Sequence, residues 1–443
     1  MDRHLNVNDT VLHRSLARVV AVRPGELRAL FWSFAYFFCL LAGYYVLRPL
    51  RDEMGIAGGV RNLQWLFTAT FAAMLAAVPL FGALVARLPR RRFIPLVYHF
   101  FVANIAIFWL LLALDAGKVH VARVFFVWIS VFSLFAVSVF WSFMADLFSS
   151  EQGKRLFGFI AAGGSAGALA GPAITVWLAV PLGPVNLLIV AAALLEGAVL
   201  CARRLEFAAP QAQHATPAVA EPAKLGGGWL AGIAMVLRSP YLAGIALWVA
   251  LLSLAGTFLY FQQASIVASS SDDPAVRTRI FASIDLAVGI LTIGVQFLAT
   301  GRLITRFGAG PAAAFLPIVF AFGFAVLAFA PVLLVVIAFQ AAQRIANFAL
   351  SNPAREVLFT VLAREEKYKA KNVIDIVVFR GADAASGWLY AILRAAGLEL
   401  SAIALASVPV AALWFALALA LGRAQERRAL RPAPRDNANA TAN

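Results

Sequence analysis

Along its 443 residues this chain repeatedly strings together about twenty mostly apolar residues, each string closed by charge, proline or glycine. A bilayer core about 30 Å thick needs about 20 such residues per crossing helix. Nothing inside lipid can satisfy an open backbone, so runs of this length without two-residue alternation are expected to be helices. Twelve can be placed. In the first half they cover 27–50, 62–87, 93–114, 121–147, 156–180 and 185–202. The second half holds 241–267, 279–301, 311–329, 332–360, 372–394 and 401–422. With 62% hydrophobic and 13% charged residues, the chain has too little polar surface for a water-soluble globule of this length. The expected fold class is an all-α, polytopic membrane protein of twelve transmembrane helices in two six-helix repeats.

The surplus of positive charge, +15, has two readings: a nucleic-acid partner or a membrane topology signal. Its distribution favours the second. By far the larger share of the 37 lysines and arginines falls in the N-terminal segment, in every even-to-odd loop and in the tail. The positive-inside rule then puts both termini in the cytoplasm. Arg14, Arg18 and Arg23 precede span 1 without a long apolar core, so no cleavable signal peptide is expected. The resulting organisation is a cytoplasmic segment 1–26, a six-helix bundle 27–203, a linker 204–240, a second bundle 241–422 and a tail 423–443. Within the linker, Pro210, Pro217, Pro222 and Gly226 break the chain, while residues 229–238 fit a short interfacial helix. Cys39 and Cys201 are far apart in sequence and beside apolar runs, which favours buried free thiols over a disulfide or thiolate metal site.

Internal repetition turns the count into an architecture. Gly82, Leu84 and Arg87 after span 2 recur as Gly301, Leu303 and Arg306 after span 8, at one constant offset. Charged loops containing Glu151, Lys154 and Arg155, and later Glu366, Lys367 and Lys369, fall at equivalent places in the two halves. Parallel repeats of this kind place substrate sites near the bilayer midplane in many transporters.

The run from Gly82 to Arg92 resembles the loop 2–3 motif of the major facilitator superfamily, with Ala86 at the motif's usual Asp and Pro89 at its second Gly. Gly158, Gly167, Gly171 and Pro172 resemble the motif of the superfamily's antiporters, without its closing Gly pair. Within the superfamily the chain is similar to the ATP/ADP nucleotide transporters of bacteria and plastids. That likeness rests on Leu47, Arg48, Arg51 and Asp52, on Phe140, Trp141 and Phe143, and on Lys369, Lys371, Ile374, Asp375 and Val377. It implies secondary transport by antiport and places Arg51 where the family has a Lys. At Asp383 the family's positive charge is reversed. Independently of any family, Gly163, Gly167 and Gly171 at four-residue spacing allow a neighbouring helix to approach closely.

Charge at bilayer depth is costly, which makes each such residue a functional candidate. Arg344 lies about 18 Å along span 10 from residue 332, near the midplane. Gln340, Gln343, Arg344, Asn347 and Ser351 share one helical face, expected to line a wet cavity; the alternative is a buried polar seam. Arg380 and Asp383 are also central and three residues apart, so an ion pair between them, or between Arg344 and Asp383, is expected. Asp375, a turn from the cytoplasm, is expected to meet Lys371 or solvent. Asp285 is a candidate proton carrier unless an arginine lies beside it. Glu196 is expected to bond to a neighbouring helix. Arg48 and Arg51, with Asp52 and Glu53, are expected to close span 1 at the outer boundary, either as interfacial anchors or, through Arg51, as recruiters of an anion. Tyr44 and Tyr45 suit stacking or an aromatic belt. Glu151, Lys154 and Arg155, and Arg87 and Arg306 with Asp146 or Glu365, read as cytoplasmic clamps between conformational states.

Other function classes lack their chemistry. Gly153-Lys154 has no Gly five residues earlier and no following Ser or Thr, so it is not a phosphate-binding loop. His4, His13, His99, His120 and His214 are scattered, leaving no clustered set for a metal or a membrane enzyme. The expected partners are a small anionic solute and the lipid bilayer of a bacterial inner membrane, with no nucleic acid and no cofactor, and the chain is expected to work as a monomer. Proton-coupled transport of another organic solute, and a non-transporting sensor or scaffold, stay open at this level.

Overall fold

The computed structural model describes residue 23 and residues 26–87, 90–208, 229–295, 308–362 and 364–430. Helix α1 is Leu27–Ala57, followed by a 3-10 turn Val60–Asn62, α2 (Leu63–Arg87), α3 (Arg90–Ala113), α4 (Lys118–Leu147) and α5 (Ser150–Ala208). Then come α6 (Trp229–Arg238), α7 (Pro240–Ser270), α8 (Pro274–Val295) and α9 (Ala309–Phe329). Helix α10 (Leu333–Ala346) passes through a π-turn, Asn347–Ser351, into α11 (Asn352–Leu358). Helix α12 (Arg364–Asn372) passes through a second π-turn, Val373–Val378, into α13 (Phe379–Ala395), and α14 is Leu400–Ala429. No strand occurs among the described residues.

Ten described helices are long and apolar enough to cross a membrane. One of them, in α5, is really two. Gly183 sits at φ 75° and ψ 155°, a backbone state that side chains with a Cβ avoid, and flanking Pro181 and Pro184 deny the local helix its hydrogen bonds. This bend falls where the sequence separates spans 5 and 6. Helix α2 adds a further 25-residue apolar helix. The chain therefore has the expected all-α, polytopic membrane architecture. The short helix Trp229–Arg238 also forms where expected.

Two compact units are present. One comprises residues 1–224 and 260–290, the other 225–259 and 291–443. The division falls in the linker and also within α7 and α8, so the far part of α7 and most of α8 group with α1–α5.

Glycine explains how the first unit closes. A Cβ at Gly163 would stand 2.5 Å from the Phe34 carbonyl oxygen, and one at Gly171 would stand 2.6 Å from the Ala42 oxygen. Gly167 faces the Phe38 carbonyl just as tightly. The glycine stripe thus lets α5 lie backbone-to-backbone on α1, as its spacing suggests. Around this seam Tyr36 and Tyr98 share a buried hydrogen bond of 2.7 Å, and Phe37 stacks on Phe140 at 4.0 Å between ring centroids. Aromatic rings also organise the second unit, where Trp248, Trp414 and Phe320 pack together and Gly310 on α9 opposes Gly422 on α14.

Two expectations need correcting. First, helix α1 does not close at its charges but runs on to Ala57. Asp52 is 8% and Glu53 1% exposed, because both find cationic partners and need no water. Second, the face from Gln340 to Ser351 is not uniformly α-helical. The π-turn inserts about one extra residue per turn, which rotates Ser351 away from the register that strict 3.6-residue spacing gives. Cys39 and Cys201, though distant in sequence, lie beside each other across α1 and the second limb of α5, and both are free thiols, as expected.

Candidate functional site

Within the first unit, the far end of α1 carries a buried charge network. Arg277 of α8 grips Glu53 with two hydrogen bonds, Nε to Oε2 at 2.8 Å and Nη2 to Oε1 at 2.7 Å. Its Nη1 donates to the Ser271 carbonyl at 2.9 Å, which holds the guanidinium plane in place. Tyr260 of α7 donates its hydroxyl to Asp52 at 3.0 Å, and Arg51 Nη1 also approaches Asp52 at 3.4 Å. The Arg51 guanidinium lies 4.1 Å from the centroid of the Phe126 ring, a cation–π contact. Arg48 Nε stands 3.7 Å from Asp285 Oδ2 and beside the Tyr45 ring. Three arginines therefore meet three carboxylates, and the cluster is electrically balanced. The sequence singled out Arg48, Arg51 and Asp285 separately; the fold brings them together. It adds Arg277 and Tyr260, whose only sequence signal was their place at the ends of apolar runs.

The second unit arranges its polar groups differently. Along α10, Gln343 Nε2 donates to Gln340 Oε1 at 2.8 Å, with Gln340 6% exposed and Arg344 one residue further along. Asn347 opens the π-turn and Ser351 ends it. The Oδ1 of Asn347 and the Oγ of fully buried Ser351 have no hydrogen-bond partner among the described residues. Arg355 Nη1 reaches Asp375 Oδ1 at 3.2 Å, linking α11 to the second π-turn. This corrects the expected partner of Asp375: Lys371 is instead engaged by Glu356 at 2.6 Å, because α11 places Arg355 and Glu356 side by side facing that turn. Arg380 and Asp383 do pair, at 3.3 Å. Asp383 also accepts hydrogen bonds from Ser253 and Thr257 of α7, two donors that sequence spacing could not reveal. Both π-turns interrupt helices that carry candidate residues. Such interruptions are frequent at functional sites, since the widened turn frees backbone and re-aims side chains.

At the N-terminal end of α1, Glu26 receives Arg155 through two hydrogen bonds, 2.9 and 3.1 Å, and Gln152 at 3.1 Å. The Arg155 contact, with the Arg23 backbone N–H as a further donor, holds the Glu26 carboxyl down at about 2 despite its burial. Arg23 meets Glu151 at 2.6 Å, on the surface. Of the clamp residues expected around Arg155, Glu151 and Arg155 thus engage the start of α1. Asp146 is exposed near the end of α4. The side chains of Arg87 and Glu365, and Arg306 with the 301–307 copy of the repeat, lie outside what the structure describes. Glu196 pairs with His99 of the neighbouring α3 at 3.5 Å.

Solved structures that the chain resembles share this all-α, polytopic membrane architecture. A bacterial homolog of the human lysosomal transporter Spinster, in an inward-facing and unoccupied conformation, aligns over 93% of this chain and 100% of its own at 15% identity, with a TM-score of 0.58. The nucleoside transporter NupG aligns over 93% and 100% at 13% identity and a TM-score of 0.55. A bacterial homologue of the iron transporter ferroportin, in an inward-facing state, aligns over 91% and 99% at 12% identity and a TM-score of 0.62. No family model matches the sequence, and no curated protein matches it.

Proposed function

We propose that this chain is a secondary active transporter that moves a small anionic solute by alternating access. The observation that supports the reading is the polar face of α10 and its π-turn, where Gln340 and Gln343 bond to each other beside Arg344, and Asn347 Oδ1 and Ser351 Oγ have no hydrogen-bond partner among the described residues. A guanidinium on such a face at bilayer depth stabilises carboxylate or phosphate by charge-assisted, bidentate hydrogen bonds. The proposed substrate ligands are Gln340, Gln343, Arg344, Asn347, Arg380 and Asp383 in the second unit, and Arg51 in the first. Arg48, Asp285 and Asp375, with Arg87, Arg306 and Asp146, serve coupling and gating. The favoured solute is a nucleotide or related phosphorylated metabolite, exchanged by antiport. Transport needs neither catalysis nor a cofactor, and one chain forms one complete transport unit. The proposed location is a bacterial inner membrane, and positive-inside asymmetry supports an orientation with both termini cytoplasmic.

A second reading has one specific support, the buried pair of Asp285 and Arg48. A carboxylate that exchanges an arginine for a proton during the cycle would couple transport to the proton gradient. Flux into proteoliposomes with and without a pH gradient separates the two readings. Exchange that requires internal solute and ignores the gradient supports antiport. Uptake that collapses when the gradient is dissipated supports symport.

A thermal-shift screen against nucleotides, organic phosphates and carboxylates identifies the solute class, since a ligand bound by the folded state raises its apparent stability. Uptake should fall at least tenfold on Arg344→Ala while the unfolding midpoint is retained. Unchanged flux in that variant rejects the site. No flux with any stabilising ligand would make the chain a sensor or scaffold on the same fold.

A further inference from the structure

One pair of ionisable groups lies where a membrane protein should have none. His99 on α3 and Glu196 on the second limb of α5 are 44% and 41% exposed on the perimeter of the first unit. His99 is nine residues, about 13 Å, from the basic start of α3 at Arg90, and Glu196 is seven residues, about 10 Å, before exposed Arg203. If those arginines mark the interface, the pair sits inside the hydrocarbon, whose half-thickness is about 15 Å.

The pair does not satisfy itself. His99 Nδ1 lies 2.6 Å from the Pro95 carbonyl oxygen, which only accepts, so Nδ1 carries the ring hydrogen. Nε2 then faces Glu196 Oε2 at 3.5 Å, an approach longer than a good hydrogen bond. The second carboxyl oxygen has no partner among the described residues. Lipid offers it none either.

We propose that this seam is a homodimer interface, in which a second copy of the chain brings its own His99 and Glu196 against the first pair. The patch carries both a cation-former and an anion, so it is complementary to itself. A two-fold axis through the seam sets each carboxylate against the other copy's imidazole, the arrangement of an isologous interface. The surrounding surface permits the approach. Ala103, one turn from His99, and Ala193, one turn from Glu196, are small and exposed. Small residues beside interhelical hydrogen bonds are what membrane helices use to associate, since burying apolar area gains nothing in lipid. Exposed Phe100, Ile107, Ile189 and Leu200 flank the polar centre and supply packing. The two copies meet through lipid-facing surfaces, so each keeps its own candidate transport site.

Subunit counting of the full-length chain in liposomes, over a series of protein-to-lipid ratios, tests this. The wild type should dimerise, and His99→Leu with Glu196→Leu should raise its apparent dissociation constant at least tenfold. Ala193→Trp, which blocks close approach and leaves the polar pair intact, should do the same. In a Cys39→Ser, Cys201→Ser background, Ala193→Cys should give a bismaleimide-linked dimer and Leu405→Cys, on lipid-facing α14, should not. Monomers at every ratio overturn the proposal, as does a dimer that survives both seam variants or one that links through Leu405→Cys.

Discussion

Around the far end of α1, three arginines and three carboxylates gather in one buried network; in the second unit, Arg355 and Arg380 each pair with one carboxylate beside an interrupted helix. At the centre of the first cluster Arg277 grips Glu53 through two short bonds, and a third contact fixes its plane. The second region has longer ion pairs, two π-turns, and Asn347 Oδ1 and Ser351 Oγ without a hydrogen-bond partner among the described residues. A buried pair with two aligned bonds serves to hold an arrangement, whereas a polar helix face left incompletely satisfied suits a visitor. On the proposed reading the Glu53–Arg277 pair holds and the second region binds, although the sequence alone put the first at the outer boundary.

The most forceful way to break this contrast is Glu53→Ala. It strands a buried guanidinium, and breaking one side of such a pair costs about 3–5 kcal/mol. A large drop in unfolding midpoint is expected, mostly recovered by the double change Glu53→Leu with Arg277→Leu. If Glu53→Ala unfolds no earlier than the wild type, the cluster holds nothing.

Next comes Glu26, which anchors the opposite end of α1. Its folded value of about 2 lies below the unfolded 4.5. A depressed carboxyl contributes stability above the unfolded value and loses it as pH falls through that window. The difference corresponds to about 3 kcal/mol at most. Glu26→Gln should therefore unfold earlier than the wild type at pH 7, and the two melting curves should converge as pH drops from about 5 toward 2. A gap independent of pH would point to packing instead of charge.

Smaller is the cost of Gly167→Ala. Its methyl group must push α5 off the α1 backbone, for about 1–3 kcal/mol by analogy with overpacked cores. The same change at Gly158, whose Cβ would meet nothing within 4 Å, should be close to neutral and controls for helix propensity. Equal losses at the two sites would dismiss the seam.

The smallest effect on stability, and the most informative about the second cluster, is Ser351→Ala. Removing a buried hydroxyl that has no hydrogen-bond partner among the described residues should leave the unfolding midpoint unchanged within about 0.5 kcal/mol. It should nevertheless lower ligand-induced stabilisation severalfold. A destabilised variant with unaltered ligand response would make the π-turn an ordinary seam.

Much of the fold follows from short-range rules that a linear reading can apply. Apolar run length decided which segments cross the membrane. Pro181, Gly183 and Pro184 decided where one long helix must bend, and the four-residue glycine spacing marked the face of α5 that meets α1. The pairing of Arg380 with Asp383 was equally visible, because i to i+3 neighbours on a helix have little choice. Tertiary structure alone decided which distant groups share a site. No periodicity connects Glu53 to Arg277, Asp383 to Ser253, Cys39 to Cys201 or Glu196 to His99, since each pair joins helices whose order in space is set by packing. Nor did a pattern of 3.6 foretell the π-turns, where the backbone departs from that period. The sequence thus settled how this chain meets the bilayer, through energies that act residue by residue. Which charges pair with which was left to the fold, because pairing depends on distance.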